Sequence, residues 1–266
     1  MSKDLPVFID IGAPPTPKVG PARTLFQALA NPSPLRIAGH LQDPGTFSHP
    51  YLVNTETRGL TIKVSESPII LPPLYAHLAE AVAIMARNVA DHGHLDYNTA
   101  CARLYHSYKY LMKDQTNFLN GIHIDCGDIT QAVSGPITPR EIGIVSDIPC
   151  LTTQFFHTPI ILDESHARAL ENETGNDIQN RIFEGISNKC EGVTPYTPAA
   201  HEVVMIDGAT PHCARPNPHH KDYRRSILTV IFERDADRTV CKNAFLSAYL
   251  RGEKQFAAFY PSYKIN

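Results

Sequence analysis

A histidine and an aspartate stand two residues apart in the stretch Asn120-Gly-Ile-His-Ile-Asp-Cys-Gly-Asp-Ile-Thr130. In an extended segment residues i and i+2 point to one face. His123 and Asp125 can therefore meet one cation together, while Ile122, Ile124 and Cys126 turn the other way into packing. Far downstream, His212 in Asp207-Gly-Ala-Thr-Pro-His212 adds a second imidazole. Two imidazoles and one carboxylate suit a first-row divalent metal and, gathered on one side of it, leave its other coordination positions open. A further group sits in Tyr223-Arg-Arg-Ser226-Ile-Leu-Thr-Val-Ile-Phe232, a strand-like run. There Arg224 and Ser226 share a face, and a guanidinium beside a hydroxyl suits a carboxylate of a small diacid.

An open-sided set of two histidines and a carboxylate is the signature of non-haem Fe(II) oxygenases. Taken together, His123-x-Asp125, His212 and Arg224-x-Ser226 resemble the Fe(II)/2-oxoglutarate-dependent dioxygenases, most closely the isopenicillin-synthase-like and plant-type branch. Gly127 and Thr130 stand where many members read His-x-Asp-x-Gly-x-x-Thr, and Pro6-Val-Phe-Ile-Asp10 looks like their N-terminal strand. The resemblance is clear over residues 100–135 and 200–235. It implies that His123, Asp125 and His212 hold Fe(II), and that Arg224 and Ser226 bind the far carboxylate of 2-oxoglutarate. Members often place a tyrosine on the strand before the His-x-Asp motif, which implies Tyr108, with Tyr105 and Tyr110 as alternatives. The chain departs from the pattern in two spacings. The step of 89 positions from His123 to His212 requires an insertion, and the long step from His212 to Arg224 leaves Arg225 as an alternative anchor. Strand phase favours Arg224, because it brings Ser226 with it.

The activity implied by the resemblance is conversion of 2-oxoglutarate and dioxygen to succinate and carbon dioxide, coupled to oxidation of an unactivated C–H bond. Hydroxylation, desaturation, cyclisation and epimerisation all remain open. The expected substrate is a small soluble metabolite, with an amino acid or natural-product intermediate preferred. Arg215 and Arg103 are candidate clamps for its carboxylate, although each could equally pair with a structural acid. Two other classes stay in view: a cupin-like metalloprotein or hydrolase using zinc or manganese on the same ligands, and a non-enzymatic jelly-roll binding module. Succinate formation separates the first from an oxygenase, and stoichiometric metal binding separates the second.

The remaining composition is that of an ordinary globular enzyme. Its 266 residues can bury one substantial core, and 42% hydrophobic with 19% charged residues is a common balance. A net charge of −3 without a basic tract speaks against a nucleic-acid or anionic-membrane partner. No apolar run is long enough to span a bilayer, and Met-Ser-Lys-Asp-Leu-Pro carries no signal-like apolar segment, so the expected location is the cytoplasm. The six cysteines (101, 126, 150, 190, 213 and 241) form no Cys-x-x-Cys pair and are expected to be reduced. Cys126 and Cys213 adjoin proposed ligands, yet strand alternation turns both away from a metal.

The elements that must position these groups can be read in order. Thr24–Ala30 reads as a short helix and Gly59–Val64 as a strand. After Pro72, residues Leu74, Leu78, Ala81, Val82, Met85 and Val89 recur at helical spacing and predict a helix packed on a sheet. A strand is expected near Arg103–Tyr110, with others over Glu141–Ser146, Leu151–Leu162, His201–Ile206 and Tyr223–Phe232. Asp163 could cap one helix, and Ile178, Ile182 and Ile186 share a face of another; this 163–192 insertion could cover the mouth of the site. Val240–Leu250 looks helical. The expectation is a mainly β chain with flanking helices around a double-stranded β-helix, or jelly roll, in one domain over 1–266. Residues 1–98 supply N-terminal strands and a helix, 99–235 the core, and 236–266 a C-terminal helix and tail.

Overall fold

The computed structural model describes residues 7–12, 19–43, 57–64, 68–71, 73–111, 121–127, 129, 135–148, 152–162, 175–214 and 223–234. Its centre is a strand paired on both sides. β10 (Tyr223–Arg234) runs antiparallel to β5 (Ala100–Leu111) and to β6 (Arg140–Ser146). Adding β8 (Glu202–Asp207), β2 (Arg36–His40) and β3 (Thr57–Lys63) gives a six-stranded sheet in the order β2-β8-β6-β10-β5-β3. Two ribbons lie apart from it: β1 (Val7–Ile9) with β4 (Ile69–Leu71), and β7 (Thr153–Phe155) with β9 (His212–Ala214). The protein is mainly β, with strands joined in antiparallel pairs.

Strand alternation sorts the side chains of the large sheet into two cores. Leu228, Val230 and Phe232 of β10 pack with Ala102 and Leu104 of β5 and with Val203 and Met205 of β8. The same core takes Ala81, Val82, Met85, Ala86 and Val89, the apolar stripe of helix α2 (Ala79–His92), as its periodicity predicts. Gly143 of β6 admits that helix, since a Cβ there would stand 2.4 Å from Met85 Sδ and 2.9 Å from Met205 Sδ. On the opposite face, Ile227 and Ile231 join Ile142, Ile144, Val204 and Ile206, with Phe155 of β7 closing the space from the ribbon. Each such aliphatic side chain contributes on the order of 1.5–3 kcal/mol by leaving water.

A third core lies beyond the β7–β9 ribbon. There Leu25 and Leu29 of helix α1 (Leu25–Ala30) and Ile178, Ile182 and Ile186 of helix α3 (Gly175–Cys190) bury Ile124, Cys126 and Ile129. Helix α1 begins at a capping box, with the Thr24 hydroxyl accepting from the Gln27 N–H and the Gln27 side chain accepting from the Thr24 N–H.

The sequence and the structure differ in the strand expected over Leu151–Leu162. Only Thr153–Phe155 is ribbon; Phe156 then donates to the Pro211 carbonyl and Ile160 to the Leu29 carbonyl, so the chain leaves the sheet to meet α1. Pro159, which has no N–H to give a ladder, lies on that path. Strands β2 and β4 carry too little alternation to have been legible. The strand expected near Arg103–Tyr110 runs over Ala100–Leu111, because β5 is paired along its whole length to β10. The helix expected at Val240–Leu250, the cap at Asp163, and Thr130 lie outside the described residues. Among those described, no helix is long and apolar enough to cross a membrane.

Candidate functional site

His123 and His212 face each other across a single β-bridge, in which each N–H donates to the other's carbonyl at 2.9 Å. Directly opposed residues of an antiparallel pair present their side chains on one face. The two ring centroids are accordingly 4.3 Å apart. Asp125 follows two residues after His123 on the same face, and its N–H donates to the Gly208 carbonyl at 2.9 Å. Gly208 permits that approach, because a Cβ would stand 3.1 Å from the Asp125 carbonyl oxygen. The turn that delivers His212 is pinned by Asp207. Its Oδ1 accepts from the Ala209 N–H at 3.1 Å and the Thr210 hydroxyl at 2.9 Å, while Arg23 pairs with its Oδ2 at 2.9 Å.

Both imidazoles are oriented from behind. His123 Nδ1 lies 3.1 Å from the Gly121 carbonyl, and His212 Nδ1 lies 2.9 Å from the Thr210 carbonyl. A carbonyl only accepts, so each Nδ1 carries a proton; Nε2 then offers a lone pair to a metal when the ring is neutral, the arrangement that metal-binding histidines use, and donates toward Asp125 when His212 is protonated. One ligand atom from each of His123, Asp125 and His212 lies within 4.8 Å of the others. This His-Asp-His group can hold a metal ion. His212 Nε2 stands 3.4 Å from Asp125 Oδ2. Burial alone would raise the Asp125 pKa, but the hydrogen bond and charge of His212, with help from His123 and Arg140, carry it down to about 2. Burial, then the charge of His212, lowers His123 below the usual histidine value. Burial also pulls on His212, but the Asp125 partner outweighs it and raises that histidine.

Arg140 ties this group to the large sheet. Its guanidinium donates to the Asp125 carbonyl at 3.2 Å and meets Glu233 at 3.2 Å, while Arg103 holds the other oxygen of Glu233 at 2.7 Å. Glu233 is fully buried. Gly127, two residues beyond Asp125, turns over this guanidinium with φ +97, and a Cβ there would stand 3.3 Å from Arg140 Nη1. The Gly127→Ala variant is expected to lose about 1–2 kcal/mol, the cost of a left-handed conformation for a residue with a Cβ. A shift in the midpoint of urea unfolding checks this.

The remaining expected residues divide by face. The series Leu228, Val230, Phe232 looks toward helix α2, and Ser226 belongs to it, fully buried, with its N–H donating to Asp147 at 2.9 Å. Arg225, also buried, belongs to the Ile227 series on the face that looks toward the ribbon carrying His212. Ser226 therefore stands on the face of β10 opposite to that of Arg225 and Ile227. By register Tyr108 pairs with Ser226 and Tyr110 with Arg224, while Tyr105 pairs with Thr229 in the Arg225 phase. Burial pulls the Arg225 pKa down to about 10 against the opposing charge of Asp147. Arg103 is held by Glu233 and donates to the Tyr105 hydroxyl at 3.0 Å. Arg215 lies outside the described residues. Cys126 and Cys213 turn to the outer core, as alternation predicts.

Sequence reasoning missed Arg140, Glu233, Ser146, Gln179 and Phe183. Arg140, Gln179 and Phe183 line, with His123, Asp125 and Ile129, a cavity of about 160 Å³ beside the candidate ligands. The insertion helix α3 thus reaches the site.

No protein-family model matches this sequence, and neither does any curated protein. Solved structures do show a likeness. IDO from Bacillus thuringiensis is 10% identical, with 68% of this chain and 74% of that one covered and a TM-score of 0.40. The Fe(II)/(alpha)ketoglutarate-dependent dioxygenase TqaL is 13% identical, with 79% and 85% covered and a TM-score of 0.40. EvdO2 from Micromonospora carbonacea var. aurantiaca, complexed with 2-oxoglutarate, is 12% identical, with 66% and 67% covered and a TM-score of 0.35. At these identities and scores, what the site does has to be judged from its own residues.

Proposed function

We propose that the chain is an oxidoreductase of the non-haem Fe(II), 2-oxoglutarate-dependent kind, which oxidises a C–H bond of a small molecule. One observation carries the reading: two imidazoles with their Nδ1 protons tied to backbone carbonyls direct Nε2 lone pairs, together with the Asp125 carboxylate, into one small space. Three such donors suit Fe(II) and leave positions free for a chelating co-substrate and dioxygen. In the same reading the large sheet forms one wall of a double-stranded β-helix. The opposite wall is the β7–β9 ribbon extended by the His123–His212 and Phe155–Tyr196 bridges.

The inner face also fits a diacid. Arg225 is buried there, and Ser146 stands on the same face, opposite Ile227 and hence diagonal to Arg225 two register positions away. The Ser146 hydroxyl is buried and has no hydrogen-bond partner among the described residues. Leaving such a group unsatisfied costs about 1–3 kcal/mol, which a carboxylate oxygen would recover. In this arrangement Arg225 and Ser146 hold the far carboxylate of 2-oxoglutarate, in place of Arg224 and Ser226.

An Fe(II) ion with 2-oxoglutarate supplies, when bound, the activation of dioxygen and the oxidising power. The chain supplies position. Gly208 and Arg140 fix the backbone of Asp125, the carbonyls of Gly121 and Thr210 fix the rings, and the packed face around Ile227 and Phe155 excludes water. The test is anaerobic addition of Fe(II) and 2-oxoglutarate, expected to give a weak visible charge-transfer band that needs both, followed by succinate release in air. Zinc or manganese turnover without succinate would refute the reading. In the same titration Arg225→Ala is expected to weaken 2-oxoglutarate binding by about 10–100-fold, the loss of a charged hydrogen-bonding partner, and Ser146→Ala by about fivefold. Arg224→Ala is expected to change it little, and the reverse ranking would move the anchor to the other face of β10.

A further inference from the structure

Each candidate imidazole has a carbonyl behind its Nδ1 and a phenyl ring beside it, and the two phenyl rings come from different parts of the chain. Phe155 stands beside His212, with ring centroids 6.2 Å apart and planes tilted by 39°, and belongs to the ribbon that also carries His212. Phe183 stands beside His123 at 6.2 Å and 58°, but it belongs to helix α3, in the insertion between the two histidines. Both separations fall in the range of roughly 4.5–7 Å over which aromatic rings attract one another. Phe155 is fully buried in the core between the sheet and the ribbon, so the His212 side is complete once these two pack. The His123 ring is only half-buried. Its cover depends on the docking of α3, whose Ile178, Ile182 and Ile186 enter the outer core and thereby turn Phe183 toward the metal group.

We propose that Phe183 is a positioning residue for the metal group, and that a bound divalent ion and the docked helix α3 stabilise each other through it. The inference rests on the metal-binding half of the function proposed above and adds to it a dependence on the insertion helix. A hydrogen bond at Nδ1 holds one edge of an imidazole, and the ring still swings about that edge until something packs against its side. Phe183 supplies that side, so Nε2 of His123 is aimed before the ion arrives and less ordering is left to be done on binding. Coupling of this kind is reciprocal: the factor by which the docked helix strengthens metal binding is the factor by which the ion strengthens docking. His212 lacks this dependence, because its phenyl neighbour is part of the ribbon itself.

The test uses the full metal-free chain and Co(II), whose visible bands report binding without turnover. Phe183→Ala is expected to weaken Co(II) by about three- to tenfold, the worth of one aromatic pair, while Phe183→Tyr, which keeps the ring, stays within about twofold of wild type. In the wild type, saturating Co(II) is expected to slow hydrogen exchange of the α3 amides by a similar factor, about three- to tenfold, and in Phe183→Ala to leave it nearly unchanged. A merely structural phenylalanine would lower the midpoint of urea unfolding of the metal-free protein and move neither metal readout. The wild-type exchange measurement decides without any variant. Stoichiometric Co(II) binding with no change of exchange in α3, Co(II) affinity unchanged in Phe183→Ala, or Phe183→Tyr as weak as Phe183→Ala would overturn the proposal. A wild type that binds no Co(II) would instead overturn the metal-site reading, and this inference with it.

Discussion

The His212→Ala variant is expected to lose stoichiometric Fe(II) binding while keeping its fold. The ring contributes an Nε2 lone pair at the centre of the group, and its partners His123 and Asp125 cannot enclose an ion from one side alone. Loss of a partner that merely orients a metal ligand costs about 10–100-fold in affinity, so removal of the ligand itself is expected to exceed that range. The fold survives because the His123–His212 bridge is made by backbone groups, and the three cores are built from other residues. Iron per chain after gel filtration, read beside far-UV circular dichroism, checks both halves. His40→Ala, at an exposed position of β2, is the control expected to retain full iron. Full iron in His212→Ala would remove it from the ligand set.

A second large effect is expected on stability. Glu233 is fully buried between Arg103 and Arg140, at 2.7 Å and 3.2 Å. In Glu233→Ala two mostly buried guanidinium groups lose their common carboxylate, and breaking a buried ion pair from one side costs about 3–5 kcal/mol. This is a large part of the roughly 5–15 kcal/mol that holds a typical domain together. The midpoint of urea unfolding of metal-free protein is expected to fall accordingly, and Fe(II) affinity with it, since Arg140 also holds the Asp125 carbonyl. A loss below about 1 kcal/mol, the range of exposed pairs, would show that the cluster is solvated.

Much of this was legible in the chain because it depends on local spacing. The two-residue step from His123 to Asp125 dictates a shared face in any extended segment, and it equally sends Ile124 and Cys126 to the outer core. The stripe of α2 and the isoleucine face of α3 follow from a 3.6-residue period.

What only the tertiary structure decided depends on which face of an element meets which neighbour. Alternation along Tyr223–Phe232 separates Arg224 and Ser226 from Arg225, but nothing within the strand says which set looks at the ribbon and which at α2. That is decided by the packing of Leu228, Val230 and Phe232 on the helix. Arg140 and Glu233 were illegible for the same reason: they lie 93 positions apart, and only the pairing of β6 with β10 makes them partners. Gln179 and Phe183 read as the polar and mixed side of an amphipathic helix until its isoleucines are docked, and their relation to His123 is a consequence of that docking. Period specifies the faces of a strand or helix, whereas the burial of apolar area by the whole chain chooses where each face points.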